Sequence, residues 1–164
     1  MIRVGLLSDT HNYLDPGILE HFKECDEIWH AGDIGTAAVT DELARFKPLR
    51  AVYGNIDGAD IRRSFPEHQR FMCEQVDVWI THIGGYPKKY DQRVREEIRD
   101  NSPQLFICGH SHILKVIYDK DLMLLHVNPG AAGKYGFQKV RTVVRFSIDG
   151  KDIKNMEVIE LGKR

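Results

Sequence analysis

The sequence predicts an α/β fold with a two-layered β-sheet sandwich core and helices outside it. Three observations support this. The first third of the chain alternates short apolar runs with helical patterns, the second half is richer in hairpin patterns, and polar residues end most apolar runs. Alternation of strands and helices is typical of parallel strands joined by crossovers. At 164 residues, we expect one domain spanning residues 1–164.

The first half of the chain predicts three strands with two helices between them. Residues 2–8, 27–33 and 49–55 are short apolar runs that end in polar residues, which indicates buried strands. Residues 16–25 and 37–46 carry apolar side chains at helical spacing, and the first of these begins with a proline. This β-α-β-α-β order predicts a parallel sheet with right-handed crossovers.

The second half predicts three hairpins, one helix and one further strand. The hairpins occupy residues 70–83, 115–127 and 144–161, and the last contains an Asp-Gly pair, a strong hairpin signal. Residues 90–101 show helical spacing of apolar side chains, and residues 104–110 form an apolar run that ends in Gly-His. Together with the first three strands, these elements predict two layers of sheet.

Composition indicates where the protein is found and which partners it lacks. A net charge of −1 gives no electrostatic case for a specific nucleic-acid surface. The three cysteines form no CxxC pair, which favours reduced thiols in an intracellular protein. No apolar run approaches the ~20 residues of a membrane span, and the first residues lack a signal-peptide core. We therefore expect a soluble, cytoplasmic protein with no membrane partner.

Polar side chains that can bind metals follow five of the predicted strands. They are Asp9, His11, Asp33, Asn55, His82, His110 and His112. In α/β sheets, ligands collect at the carboxyl ends of the strands. Glycines precede Asp33, Asn55 and His110, and they allow the backbone to approach a shared centre. In an extended chain, residues two apart face the same side, so His110 and His112 are expected to converge.

This donor set favours a metal site with two ions. Seven donors exceed the needs of one four-coordinate zinc, and they suit two ions that share a bridging carboxylate. Oxygen and imidazole donors without thiolate favour Mn, Fe, Zn, Co or Ni over Ca or Mg. Each residue also has a structural alternative, because Asp can cap helices, Asn can form turns and His can lie hydrogen-bonded in a core.

The motifs resemble those of the calcineurin-like metallophosphoesterases. The family pattern is DxH, GD, GN, H and GHxH, and the chain contains Asp9-Thr10-His11, Gly32-Asp33, Gly54-Asn55, His82 and Gly109-His110-Ser111-His112 in that order. Length and order resemble the small bacterial and archaeal phosphodiesterase branch. The resemblance implies a metallophosphoesterase-like, four-layer α/β/β/α architecture.

The resemblance also implies a role for each ligand. Asp9, His11 and His112 would hold the first ion, Asn55, His82 and His110 the second, and Asp33 would bridge them. Asp33, Asn55 and His82 would be catalytic, and Asn55 and His11 would also bind substrate. The cofactor would be two divalent transition metal ions, with Mn expected first and Fe, Zn, Ni or Co as alternatives. The implied reaction is attack of a metal-bound hydroxide on phosphorus, in line with the leaving group.

One position departs from the family pattern. Many members read GNHD where this chain reads Gly54-Asn55-Ile56-Asp57. Ile56 cannot protonate a leaving group, so the general acid is unknown, and Asp57 or water are the candidates. The loss favours a phosphodiesterase acting on a small phosphoester. The alternatives are a phosphomonoesterase and a protein-binding scaffold of the same fold with little activity. A homo-oligomer is a further alternative that the sequence leaves open.

Several residues are expected to support the site without binding metal. His21, His30, His68 and His126 are assigned structural roles, with His30 and His126 as candidates for contacts behind the ligands. The segment Asn128-Pro129-Gly130 resembles a loop that the small branch places beside the site, and we expect it to position the site.

Overall fold

Two five-stranded β-sheets, with helices on their outer faces, make up the fold in the computed structural model, which describes residues 1–164. The strands are β1 (Ile2–Leu7), β2 (Glu27–His30), β3 (Leu49–Ala51), β4 (His68–Cys73), β5 (Val76–Thr81), β6 (Gly85–Tyr86), β7 (Lys89–Tyr90), β8 (Leu105–Ile107), β9 (Lys115–Asp119), β10 (Leu124–Asn128), β11 (Val140–Asp149) and β12 (Asp152–Lys163). The helices are α1 (Gly17–His21), α2 (Ala37–Phe46), α3 (Ala59–Ser64) and α4 (Arg95–Asp100).

The two large sheets have different strand orders but the same plan. The first sheet has the order β12-β11-β1-β2-β3, and the second has the order β4-β5-β8-β10-β9. In each sheet three neighbouring strands are parallel, namely β1-β2-β3 and β5-β8-β10. The strands β11 and β12 in the first sheet, and β4 and β9 in the second, are paired antiparallel to their neighbours. The carboxyl ends of six parallel strands are therefore available for a site.

Three apolar clusters separate the layers. The cluster between the sheets contains 15 buried residues, among them Val4 and Leu6 of β1 and Val78 and Ile80 of β5. A second cluster packs α1, α2 and α3 on the outer face of the first sheet, and a third packs α4 on the outer face of the second. The predicted two-layered sandwich flanked by helices, in four layers α/β/β/α, is confirmed.

Strand β1 shows how alternating side chains build two layers at once. Val4 and Leu6 enter the cluster between the sheets, while Leu7 enters the cluster under the helices. A Cβ atom on Gly5 would lie 2.6 Å from the ring of Phe22, so the absence of a side chain lets the segment after α1 pack directly on the sheet.

The structure also differs from the sequence prediction in several elements. The predicted parallel sheet is mixed, because β11 returns antiparallel beside β1. The helices predicted over residues 16–25 and 90–101 are shorter, at Gly17–His21 and Arg95–Asp100. Helix α3 was not predicted, since it buries only Ile61 and is too short to show a helical period. No helix has the length and apolar character needed to cross a membrane.

Candidate metal centre

The structure brings the predicted ligands together at one edge of the sandwich. Each belongs to a loop that follows β1, β2, β3, β5 or β8, just beyond the carboxyl end of the strand. Six of the seven form two groups of metal-binding donors, and the seventh, Asn55, contacts one of these groups. The expectation that ligands collect where parallel strands end therefore holds for both sheets.

The ligands form two groups of three. The first is Asp9, His11 and His112, and the second is Asp33, His82 and His110. Within each group, one carboxylate oxygen and two imidazole nitrogens lie within 4.8 Å of one another. The Oδ1 atom of Asn55 lies 3.0 Å from Nδ1 of His110, which places Asn55 beside the second group. The first group has the same members as the implied first site, and the second contains Asp33, the implied bridge, with His82 and His110 of the implied second site.

Asp33 lies between the two groups. Its Oδ2 atom is 3.4 Å from Nε2 of His11 in the first group and 3.2 Å from Nε2 of His82 in the second. Asp9 is placed less symmetrically, with Oδ1 3.2 Å from Nε2 of His112 and 3.8 Å from Nε2 of His82. Asp33 is thus the carboxylate best positioned to bridge two ions.

Five of the seven ligands have a left-handed backbone. The φ angles are 55° at Asp9, 44° at His11, 54° at Asp33, 74° at His110 and 63° at His112. Each such residue costs roughly 1–3 kcal/mol, so the surrounding structure must hold it in place. Backbone hydrogen bonds between loops do this, including Asp9 N–H to Gly32 O at 2.9 Å and His11 N–H to Asp33 O at 3.1 Å.

The convergence of His110 and His112 has a different cause from the one the sequence predicted. An extended chain was expected, but both residues lie in the left-handed region and Ser111 N–H bonds to Gly109 O at 2.9 Å. This hydrogen bond closes a tight turn in the loop. Asn128 holds it from behind, donating from Nδ2 to Gly109 O at 3.0 Å and to Ser111 Oγ at 3.1 Å. The predicted supporting role of Asn128 is confirmed.

Glycines allow the loops to approach one another, as the sequence predicted. A Cβ atom on Gly32 would lie 2.6 Å from Nδ1 of His82, and one on Gly109 would lie 2.7 Å from Oδ2 of Asp9. A Cβ atom on Gly54 would collide with the carboxylate of Asp33. Any side chain at these positions would displace a ligand.

The histidines are oriented by hydrogen bonds on their far nitrogen. Nδ1 of His82 lies 2.7 Å from Ala31 O, and Nδ1 of His112 lies 2.9 Å from Oε1 of Gln138. Donation from Nδ1 leaves Nε2 of each ring with a lone pair directed into the centre. Nε2 of His11 and His82 and Oδ1 of Asp9 are buried without a hydrogen-bond partner. Buried atoms that carry a lone pair and have no hydrogen-bond partner are suited to binding a metal cation.

The electrostatics of the centre also favour added positive charge. The carboxylates of Asp33 and Asp9, 3.4 and 3.8 Å from its Nε2, raise the pKa of His11 to about 9. Burial opposes ionisation of Asp9 and Asp33, yet the nearby imidazoles, with hydrogen bonds from Ser8 to Asp9 and from Ile56 N–H to Asp33, hold the pKa of both carboxyls well below the usual range. The two carboxylates therefore bring negative charge into the centre, which fits a site for divalent cations.

The carboxylate of Asp57, a candidate general acid from the sequence, is occupied by backbone hydrogen bonds. Its buried carboxylate accepts backbone N–H groups from Ile34 at 3.2 Å, Gly35 at 2.8 Å and Gly54 at 2.8 Å. These bonds use both oxygens and tie the loop after β2 to the loop after β3. Ile56, at the position of the family histidine, donates its N–H to Oδ1 of Asp33 at 3.1 Å and exposes 46% of its surface.

Sequence reasoning missed several residues that contact the candidate ligands, among them Gln138 and Tyr135. Gln138 binds His112 and also donates from Nε2 to Gly133 O at 3.0 Å. The ring of Tyr135 stacks on His11 with centroids 4.9 Å apart. Both lie in an irregular segment without a strand or helix pattern, so no local signal marked them. His30 was identified correctly as a supporting residue, since its ring contacts Thr10 Oγ1 at 3.0 Å and accepts Gly32 N–H at 3.1 Å.

His126 lies away from the ligands. Its Nε2 contacts Gly85 O at 3.0 Å and Cys108 Sγ at 3.5 Å, so it packs behind the strand that carries the GHxH motif. Burial lowers the pKa of the His126 imidazole, which keeps the ring neutral in this position.

Comparison with known proteins gives both sequence and structural relatives. Two curated archaeal proteins are each 29% identical over 136 residues, which is 78% of this chain. They are probable metallophosphoesterases of Methanothermobacter thermautotrophicus, matched over 76% of its length, and of Methanocaldococcus jannaschii, matched over 67%.

Solved structures with the same fold cover nearly the whole chain. An archaeal phosphodiesterase superposes with a TM-score of 0.75 at 23% identity, covering 96% of this chain and 100% of its own. A Vps29 variant from Entamoeba histolytica superposes with a TM-score of 0.76 at 16% identity, covering 98% of this chain and 100% of its own. The family model for the calcineurin-like phosphoesterase superfamily domain matches residues 2–151, and the chain therefore belongs to that superfamily.

Proposed function

We propose that this protein is a dinuclear metal-dependent phosphodiesterase. The observation that carries the proposal is the pair of three-donor groups, with Asp33 between them and with buried donor atoms that have no protein partner. Membership of the phosphoesterase superfamily supports hydrolysis of a phosphoester. The structural likeness to an archaeal phosphodiesterase agrees with a diester as substrate.

Each residue has a stated part in the proposal. Asp9, His11 and His112 would hold one ion, Asn55, His82 and His110 the other, and Asp33 would bridge them. Two divalent ions held by these residues would supply Lewis acidity and activate water for displacement at phosphorus. Oxygen and imidazole donors suit Mn, Fe, Zn, Ni or Co, and the family resemblance implies Mn first.

The side chains around the centre offer no protein nucleophile. Ser8 is buried and donates from Oγ to Asp9 Oδ2 at 2.6 Å, so its hydroxyl is committed to holding a ligand. Burial raises the pKa of the Cys108 thiol to about 12, which leaves almost no thiolate at neutral pH. Ser111 Oγ is held by Asn128 and by the N–H of Ile113. Water is the nucleophile consistent with this arrangement.

A scaffold function is the second candidate, and one observation favours it. The edge strand β9 exposes Val116, Ile117 and Tyr118, an unusual run of apolar side chains for a sheet edge. The fold is shared with Vps29, a vacuolar sorting protein by name. A protein that acts only as a scaffold has no need of two complete donor groups, and this argument favours the enzyme.

Metal analysis and a matched pair of substrates test the proposal. Protein saturated with Mn²⁺ and freed of excess metal should retain two ions per chain by elemental analysis. It should hydrolyse bis-p-nitrophenyl phosphate faster than p-nitrophenyl phosphate. One ion or none would contradict the dinuclear centre, and a preference for the monoester would contradict the diesterase. Two bound ions without hydrolysis of either ester would favour the scaffold.

A further inference from the structure

Two cavities flank the second ligand group. The first, which we call the Asp91 cavity, measures about 360 Å³ and is bordered by Tyr86, Asp91 and His110. The second, the Glu67 cavity, measures about 300 Å³ and is bordered by Tyr53, Glu67 and His82. Both are at the small end of the ~300–1,000 Å³ typical of ligand sites.

The two cavities share part of their lining. Asn55, Ile83 and Arg93 border both. Asn55 belongs to the second ligand group through its contact with His110, so the shared wall lies at the metal centre. A molecule bound at this wall can extend into both cavities at once. A tetrahedral phosphate with two ester arms has the required branching, whereas a monoester has only one arm.

Arg93 is the cation available at the shared wall. Its Nη1 donates to Asp91 Oδ1 at 3.0 Å, and Nε and Nη2 have no protein acceptor. The side chain is 52% exposed. Arg62 borders only the Glu67 cavity, and its guanidinium is already bound to backbone carbonyls, with Nε donating to Asp57 O at 2.6 Å. Arg93 is therefore free to bind an anion and Arg62 is not.

The charges inside the cavities indicate what the arms carry. Each cavity has one carboxylate in its wall, Asp91 in the first and Glu67 in the second. Hydrogen bonds from the backbone N–H and guanidinium of Arg93 keep Asp91 ionised. A carboxylate repels a phosphate oxygen but accepts hydrogen bonds from hydroxyl groups. Both cavities are thus suited to uncharged arms that carry hydroxyl groups.

We propose that the substrate is a phosphodiester with two hydroxyl-bearing arms of sugar or polyol type, one in each cavity, with Arg93 binding a non-bridging phosphate oxygen. This rests on the proposed function and specifies its substrate class. In the reaction one P–O ester bond breaks, the oxygen of water forms the new bond to phosphorus, and the proton that water loses ends on the oxygen of the departing alcohol. Arg93 stays protonated throughout and acts as a phosphate-binding residue.

The first test compares Arg93→Met with Arg99→Met. Arg99 is a matched control, because it pairs with neighbouring Asp100 at 2.9 Å on the exposed face of α4 and borders neither cavity. In Mn²⁺-loaded protein, Arg93→Met should lower kcat/KM for bis-p-nitrophenyl phosphate about 10- to 100-fold, as for loss of a charge-assisted hydrogen bond. Bound metal should stay unchanged, and Arg93→Lys should recover part of the activity. Equal rates in the two Met variants would overturn the role of Arg93.

The second test uses calorimetric binding, which needs no turnover. Diglyceryl phosphate should bind the Mn²⁺-loaded protein about tenfold or more tightly than diethyl phosphate, which has the same charge and no hydroxyl groups. Asp91→Asn and Glu67→Gln should each reduce that preference, measured as the ratio of the affinities for the two diesters. Equal binding of both diesters to wild type would overturn the substrate class. Failure of the proposed function would differ, since wild type would then hydrolyse no diester at all.

Discussion

The two ligand groups differ in how far they are open to solvent. In the first group Asp9 is fully buried, the ring of His11 is covered by Tyr135, and His112 is held by Gln138. In the second group His82 and Asp33 are buried, but His110 and the neighbouring Asn55 are exposed beside two cavities. One group is closed by its own chain and the other faces the space where a substrate can bind.

This difference indicates that the two ligand groups have different roles in the centre. A closed group with supporting hydrogen bonds holds an ion tightly and exchanges it slowly. An open group can exchange ligands with solvent and with substrate oxygens. We therefore expect the first site to be the tighter metal site and the second to be the site of phosphate contact. Asp33 lies between the two ligand groups, and its replacement should weaken metal binding at both sites.

The largest effect is expected from Asp33→Asn. Because the Asp33 carboxylate lies between the groups, the neutral amide should weaken both ion sites. Activity should fall by at least about a thousandfold, equivalent to ~4 kcal/mol of lost transition-state stabilisation. Bound Mn²⁺ and hydrolysis of bis-p-nitrophenyl phosphate provide the measurement. Asp60→Asn on the exposed face of α3 is the control, and similar activity in both variants would show that Asp33 is not a bridge.

Gln138→Leu should weaken metal binding by the first ligand group and leave the second unchanged. Loss of the contact to Nδ1 of His112 removes a hydrogen bond that orients the ring, and losses of this kind typically weaken metal binding about 10- to 100-fold. The effect should fall on one ion per chain, with the other retained. Calorimetric titration with Mn²⁺ should resolve a weakened site and an unchanged site. Equal weakening of both sites would contradict the division between a closed and an open group.

The folding stability of the metal-free protein should depend on pH through the histidines of the centre, above all His11 of the first group. The carboxylates Asp33 and Asp9 raise the pKa of His11 to about 9 from an ordinary value of 6.5. Its contribution to stability is therefore fully present below pH 6.5 and is lost as the pH rises towards 9. The pKa values of His82 and His112 are also raised, that of His82 by Asp33 and Asp9 despite burial and that of His112 by the nearby Asp9 carboxylate.

Thermal unfolding provides the measurement. The Tm of metal-free protein should fall by several degrees between pH 6.5 and 9. The Tm of protein loaded with Mn²⁺ should fall less over the same pH range, because the cations provide the positive charge that the lost protons provided. In the metal-free protein, His11→Gln should make the decrease of Tm with pH smaller. A metal-free Tm that rises across this range would show that proton binding does not stabilise the centre.

How much of the centre could be predicted depended on whether its parts have local signals. The seven ligands were recognisable because each follows an apolar run, and Gly32, Gly54 and Gly109 mark the close approaches. Gln138 and Tyr135 were not, because their roles depend on contacts with residues 26 and 124 positions away in the chain. The left-handed backbone of the ligands had no signal either, since tertiary hydrogen bonds impose it.

The fold, too, could be predicted only where an element has a local signal in the sequence. The hairpins were predicted correctly because turn residues and alternation are local. The pairing of β11 with β1 joins segments about 140 residues apart and leaves no trace in either segment alone. Short elements such as α3 bury a single side chain, so their period cannot be recognised from sequence.

The smallest effect is expected from Ile56→His, which adds a proton donor on the open side. Ile56 is 46% exposed and its backbone N–H binds Asp33, so a histidine there can stay hydrated and protonated beside the second group. A nitrophenolate leaves without a proton and an alkoxide does not, so the variant should gain mainly on alkyl esters. General acids typically supply ~10²–10⁴-fold, and we expect about tenfold because an exposed imidazole is loosely positioned. Rates across diesters of graded leaving-group pKa, measured in both proteins, provide the comparison. An unchanged dependence on the leaving group, in a variant that binds two ions, would show that position 56 does not face the departing oxygen.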